Sequence, residues 1–184
     1  MILTEFFDTR QECWKYFFRY EDGNLYWRAC LSNRIQIGAK AGYLTNTGYV
    51  RVTVFGKAYN LHKIIYEMHH GDTDSMVDHR NRIKGDNRID NLRLATKSQN
   101  EANTEKRSSN SSGYKGVYWL KNAKKWRAKI DYNKKQIHIG LFSSKHEAAK
   151  AYNKKAEELQ GEYAFLNVIN DDSKADMIRI KGVH

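Results

Sequence analysis

An α+β protein built from two modules is the fold class this sequence predicts, and three observations carry the prediction. Residues 1–107 mix helix-spaced apolar positions with short alternating strands. Residues 108–112 form a run of small polar residues that reads as a flexible linker. Residues 113–167 hold three strand-like pieces followed by one amphipathic helix, a pattern that packs as a three-stranded sheet on a helix. Residues 168–184 form a tail whose order the sequence does not fix.

Each element has its own signal. Phe6, Phe7, Trp14, Phe17 and Phe18 repeat at helical spacing and predict a helix over 4–19. Glu21-Asp22-Gly23-Asn24 is turn chemistry leading into the aromatic strand Leu25-Tyr26-Trp27-Arg28. Val50, Val52 and Val54 alternate with Arg51 and Thr53, predicting a strand over 49–55 between Gly48 and Gly56. Residues 61–70 read as a helix stopped by Gly71, with His69 and His70 at its C-terminal end. A further helix is expected over 97–107. Strands follow at 114–120, 126–132 and 135–142, then a helix over 144–160 capped by Ser144, burying Ala148, Ala149, Tyr152, Ala156 and Leu159.

Composition narrows the function. A net charge of +11 with 12% aromatic residues favours a polyanionic partner, because Lys and Arg displace counterions from phosphates. Cys13 and Cys30 are too few for a disulfide framework or a zinc ribbon and are expected reduced and packed. No apolar run is long enough to span a membrane, and the first ten residues lack the basic-then-apolar pattern of a secretory signal. A cytoplasmic location is expected.

The chemistry concentrates between residues 77 and 100. Val77-Asp78-His79 precedes Asp86-Asn87-Arg88-Ile89-Asp90-Asn91-Leu92-Arg93, with Asn100 on the expected helix beyond. Phosphodiesters resist hydrolysis because their charge repels nucleophiles and their alkoxide leaves poorly. A hard cation held by a carboxylate and a carboxamide, with a neutral imidazole as base, answers both problems. On this reading His79 takes the proton, Asp78 and Asn100 hold the ion, and Asn91 ties the loop so that the imidazole keeps one tautomer. Mg²⁺ or Mn²⁺ suits that donor set better than zinc.

These residues, with Leu61-His62-Lys63-Ile64-Ile65-Tyr66 upstream and Ser98-Gln99-Asn100 downstream, resemble the HNH endonuclease family. The likeness is to the homing type encoded by phages and introns, built on a ββα-metal core, and it covers about residues 15–107. It implies His79 as general base, Asp78 and Asn100 as metal ligands and Asn91 as the brace of the base loop. It further implies 3′-hydroxyl and 5′-phosphate products, and a phage-encoded enzyme acting in the host cell. His62 matches a recurrent upstream histidine and is expected simply to pack at a helix start. One departure stands out. The family places Asn-Gly-Asp after its Asp-His pair, whereas this chain has Arg80-Asn81-Arg82-Ile83-Lys84-Gly85. With glycine at 85 rather than 82, the left-handed position of the turn is expected to move. Arg80, Arg82 and Lys84 are expected to grip phosphate.

The C-terminal module carries about +7. Alternation turns Val117, Trp119, Ala128, Ile130, Ile137, Ile139 and Phe142 toward the helix and leaves Lys115, Tyr118, Arg127, Lys129, Gln136 and His138 on the other face. Ser112-Gly113-Tyr114-Lys115-Gly116-Val117, Lys125-Trp126-Arg127-Ala128, Ile139-Gly140-Leu141-Phe142 and Glu147-Ala148-Ala149-Lys150-Ala151-Tyr152 resemble the AP2/ERF DNA-binding domain. That resemblance puts Lys115, Tyr118, Trp126, Lys129, Gln136 and His138 at base- or backbone-contacting positions. Such a sheet lies in the major groove.

Together the two modules predict a metal-dependent endonuclease acting on double-stranded DNA as a monomer, with no small-molecule cofactor. The competing reading is a sequence-specific DNA-binding regulator that does not cleave; a structural RNA-binding protein has little motif support.

Overall fold

A computed structural model describes residues 6–29, 35–104 and 110–169 of the chain. The fold is mixed α and β and divides into two compact units, residues 1–97 and 98–184. This boundary precedes the expected linker and assigns nearly all of the third helix to the second unit. Cys30, part of the linker and the C-terminal tail lie outside the described residues.

The first unit opens with α1 (Arg10–Phe17), which starts later than its aromatic spacing implied. Thr9 is the reason: its side chain accepts from the Glu12 amide while Glu12 reaches back to the Thr9 backbone, a reciprocal cap that fixes the first turn. The helix ends where Phe18 begins to pair with Trp27 in the hairpin of β1 (Phe18–Glu21) and β2 (Asn24–Trp27). A second sheet orders β3 (Tyr43–Leu44), β4 (Val50–Val54) and β5 (Lys57–Asn60) side by side, with Val52 and Val54 buried as the alternation predicted. Then α2 (Leu61–His70) ends at Gly71, as expected. A final antiparallel hairpin joins β6 (Met76–His79) to β7 (Leu92–Ala95).

Cys13, Trp14, Phe18, Leu25, Val52, Val54, Leu61, Ile64 and Ile65 form one core that packs α1 and α2 against the strands. Cys13 is a free thiol, and burial pushes its pKa up to about 12, which keeps it protonated. A buried carboxylate crosses this core: Glu67 accepts from Trp14 Nε1 at 2.7 Å and pairs with the Arg10 guanidinium at 3.0 Å. The pairing removes the cost of an isolated buried charge and fixes α1 on α2.

The second unit begins with α3 (Lys97–Ala102), whose first residue belongs to the preceding unit and which is shorter than expected. Asn110 and Ser112, expected within the flexible linker, instead make a hydrogen-bonded turn in which Asn110 Oδ1 accepts from the Ser112 amide at 2.8 Å. The sheet order is β10-β9-β8, from β8 (Val117–Leu120), β9 (Lys125–Tyr132) and β10 (Lys135–Phe142). Ser144 caps α4 (Lys145–Gln160), which buries Ala148, Ala149, Tyr152 and Ala156 against the sheet. Gly116 permits that packing. At φ +75° it takes a left-handed turn, and a side chain there would collide with the Tyr152 ring.

Candidate functional site

The β6–β7 hairpin builds the site. Asp78 sits opposite Arg93 and His79 opposite Leu92, at the end of β6 where the chain leaves the ladder. Both side chains are buried. Asp78 Oδ2 accepts from Arg93 Nε and NH2, each at 3.2 Å, so a buried guanidinium compensates the buried carboxylate.

His79 Nε2 lies 3.0 Å from Asn87 Oδ1. The orientation of that amide follows from its other contact, since Asn87 Nδ2 donates to the Gly85 carbonyl at 3.2 Å. Nε2 therefore carries the proton and donates to Asn87, which leaves the basic lone pair on Nδ1. Asn87 orients the imidazole directly, a contact that sequence reasoning did not single out.

Asn91 ties the base loop. Its Oδ1 accepts from the Asn81 amide at 3.0 Å, and its Nδ2 donates to Asn81 Oδ1 at 3.0 Å and to the Asp86 carbonyl at 2.7 Å. These bonds tie both ends of the 80–86 loop to the start of β7. Asp86 adds a second tie, accepting from Asn81 Nδ2 at 2.7 Å and from the Arg88 guanidinium. Its hydrogen bonds with Arg88 hold the Asp86 pKa down to about 2, so the tie persists at ordinary pH.

The left-handed position of this turn has not moved. Arg82 itself sits at φ +65°, while Gly85 is not among the glycines at positive φ. The Arg82 amide donates to the His79 carbonyl at 3.0 Å, closing the turn directly after the imidazole. The turn needs a left-handed residue at the third position after His79, and that requirement overrides the arginine's own preference.

The first hairpin buttresses the same loop. The Ile89 amide donates to Tyr20 Oη at 3.1 Å, and a Cβ on Gly23 would come within 2.9 Å of the Arg88 nitrogen. This explains why a turn far upstream in sequence has Asp22-Gly23 at its tip.

His62 does more than fill a helix start. Its ring lies 4.8 Å from that of His79, edge to face, and 5.5 Å from Tyr49. Burial, then His79 and Lys63, push its pKa down to about 3, so it stays neutral beside the other imidazole. Its Nδ1 is buried without a hydrogen-bond partner. Burial and then the Asp78 charge raise the Tyr49 phenol, which therefore stays protonated. Asn87, Tyr49 and Arg93 were missed by sequence reasoning; only the asparagine spacing in 86–93 hinted at Asn87.

Arg80, Arg82 and Lys84 are all exposed. The Lys84 ammonium donates to the Thr47 carbonyl at 2.9 Å and lies 4.6 Å over the Tyr49 ring. Lys84 thus fastens the loop to the 45–49 turn. Asn100 is half-buried on α3, in the second unit. Among the described residues no group of three His, Cys, Asp or Glu side chains converges as a metal site. Asp78 offers a carboxylate in the first unit and Asn100 a carboxamide in the second, oxygen donor types that suit a hard cation such as Mg²⁺.

On the second unit, the sheet face away from α4 carries Tyr118, Arg127, Lys129, Gln136 and His138, as alternation required. Lys129 lies 4.9 Å over the Tyr118 ring, and Gln136 Nε2 donates to Asp131 Oδ1 at 3.1 Å. Tyr118 and His138 are exposed, while Arg127 is half-buried with its Nε unpartnered. Two expected contact residues are not on that face. Trp126 pairs with Phe142 and Trp119 and packs against the core beneath α4, because its register shares the parity of Ala128. The Lys115 ammonium turns to α3, donating to the carbonyls of Ala102 at 2.6 Å and Thr104 at 2.7 Å.

A buried Asp-His pair thus stands at a hairpin end, with the loop that follows tied back by asparagines. A family model described as HNH endonuclease matches residues 59–102, the span from β5 to α3. An uncharacterized HNH endonuclease, L560, of Acanthamoeba polyphaga mimivirus is 36% identical over 131 residues, covering 70% of this chain and 67% of the relative. Protein 3.8 of Escherichia phage T7 is 30% identical over 112 residues, 60% of this chain and 92% of the relative. The chain belongs to the HNH endonuclease family. A partial match to the AP2-like ethylene-responsive transcription factor TOE2 of Arabidopsis thaliana is 33% identical over 69 residues, 38% of this chain but 14% of that protein. No solved structure matches the chain. No helix among the described residues is long and apolar enough to cross a membrane.

Proposed function

We propose that this protein is a metal-dependent endonuclease of the homing type that hydrolyses phosphodiester bonds in double-stranded DNA, with an AP2-like C-terminal module that engages the duplex. The observation that carries the reading is the His79 imidazole, buried beside Asp78 and held by Asn87 with its basic lone pair on Nδ1. A buried imidazole held in one orientation suits a general base.

In this reading Asp78 and Asn100 would each offer an oxygen ligand to a Mg²⁺ or Mn²⁺ ion. When bound, the ion supplies Lewis-acid stabilisation of the charge that develops on the departing 3′ oxygen. His79 Nδ1 takes a proton from water as the water oxygen bonds to phosphorus. The bond from phosphorus to the 3′ oxygen breaks, and solvent protonates that oxygen. The products are a 3′-hydroxyl and a 5′-phosphate. Arg80 and Arg82, exposed beside the turn that follows His79, are placed to meet flanking phosphates. The open sheet face, with Arg127, Lys129, Tyr118, Gln136 and His138, contributes affinity for DNA. One site per chain cuts one strand.

The test is conversion of supercoiled plasmid by the full chain, with Mg²⁺ or Mn²⁺ and with EDTA. The expected result is metal-dependent relaxed circles bearing 3′-hydroxyl ends. Retained DNA binding with no conversion under either metal contradicts the nuclease reading and favours a regulator.

A further inference from the structure

We propose that Lys115 is a positioning residue for metal binding, not a DNA contact: it makes α3, the helix carrying Asn100, an extension of the sheet module. The proposal rests on the reading of Asn100 as a metal ligand.

The geometry is confined to the second unit. Lys115 Nζ donates to the carbonyls of Ala102 at 2.6 Å and Thr104 at 2.7 Å, with Glu101 O at 3.5 Å. Ala102 is the last residue of α3, so its carbonyl is one that a helix leaves unsatisfied at its C-terminus, where the dipole also favours a cation. The ammonium has three donors and meets three carbonyls, so a phosphate could recruit it only by breaking the cap. α3 spans six residues, too short to hold itself together in water.

Lys115 is in turn held rigidly. Its amide donates to Asn167 Oδ1 at 2.7 Å, and its carbonyl accepts from Asn167 Nδ2 at 3.1 Å. Asn167 makes a second reciprocal pair with Asn153 on α4, at 2.8 Å in both directions. Asn167 is buried. A continuous hydrogen-bonded path therefore runs from α4 through Asn167 and Lys115 to the end of α3, two residues beyond Asn100. Loading the sheet module onto DNA then steadies the helix that presents the carboxamide.

Lys115→Met removes the ammonium and keeps the aliphatic stem. The loss of charge-assisted bonds predicts that the Mg²⁺ concentration for half-maximal nicking rises roughly tenfold. DNA affinity in EDTA, and its salt dependence, should stay within about twofold of wild type. Lys115→Arg, which keeps the charge and several donors, should recover most of the metal response. Amides of residues 101–104 should exchange faster in Lys115→Met than in wild type. Weakened DNA binding in EDTA with a shallower salt slope and an unchanged Mg²⁺ midpoint would overturn the proposal and return Lys115 to the phosphate contacts. If the wild-type chain shows no metal-dependent nicking, the nuclease reading fails and the metal role of Lys115 fails with it. Accelerated exchange with an unshifted Mg²⁺ midpoint overturns the metal role alone.

Discussion

Truncating Asn91 to alanine tests how the base loop is held. The side chain is buried and makes three hydrogen bonds, two with Asn81 and one with the Asp86 carbonyl. At about 1 kcal/mol net for each, Asn91→Ala should cost roughly 3 kcal/mol. The same loop presents Asn87 to the imidazole, so the perturbation also reaches chemistry. A displacement on the order of 1 Å in a base costs about a hundredfold in rate, and nicking should fall by that order. Urea unfolding followed by far-ultraviolet circular dichroism measures the first quantity, and single-turnover nicking at saturating Mg²⁺ measures the second. Asn81→Ala removes some of the same contacts, so the double variant should cost less than the sum of the singles. A stability loss below about 1 kcal/mol for Asn91→Ala, with unchanged nicking, would refute the reasoning.

Two further outcomes follow from the same loop and its neighbour. Arg82 occupies a left-handed position at φ +65°, so Arg82→Gly should stabilise the protein by about 1 kcal/mol in urea unfolding, while weakening DNA binding through the lost phosphate contact; a net destabilisation would show that the arginine side chain outweighs its backbone strain. His62 has a folded pKa near 3 against an ordinary 6.5, so the unfolded chain binds a proton below pH 6.5 that the folded protein does not. Its contribution to stability is therefore complete above pH 6.5 and falls as the solution is acidified. Between pH 7.5 and 5.5 wild type should lose about 1.4 kcal/mol more than His62→Phe, and equal losses would remove His62 as the source.

Much of this architecture was legible in the sequence because local signals agreed with the fold. Capped helices such as α4, the valine alternation of β4 and the parity of most sheet residues needed no tertiary knowledge. Four features were not legible, each for a physical reason. Turn geometry outweighed residue preference at Arg82, where composition alone pointed to Gly85. That Asn87 meets His79 depends on how the loop after His79 folds back on itself, and spacing does not fix that. Lys115 was expected at a DNA contact from the sheet-face pattern and Trp126 from the AP2/ERF resemblance, but one caps a helix beyond the reach of any local pattern and the other shares the parity of the core. His62 was visible as a residue, yet its proximity to His79 arises only when α2 packs near β6.

The central claim is that His79 acts as the proton acceptor in metal-dependent cleavage, and His79→Ala tests it most directly. On supercoiled plasmid with Mg²⁺ the variant should nick about a thousandfold more slowly than wild type, while its DNA affinity in EDTA stays within about twofold. A variant that nicks at the wild-type rate would contradict the account.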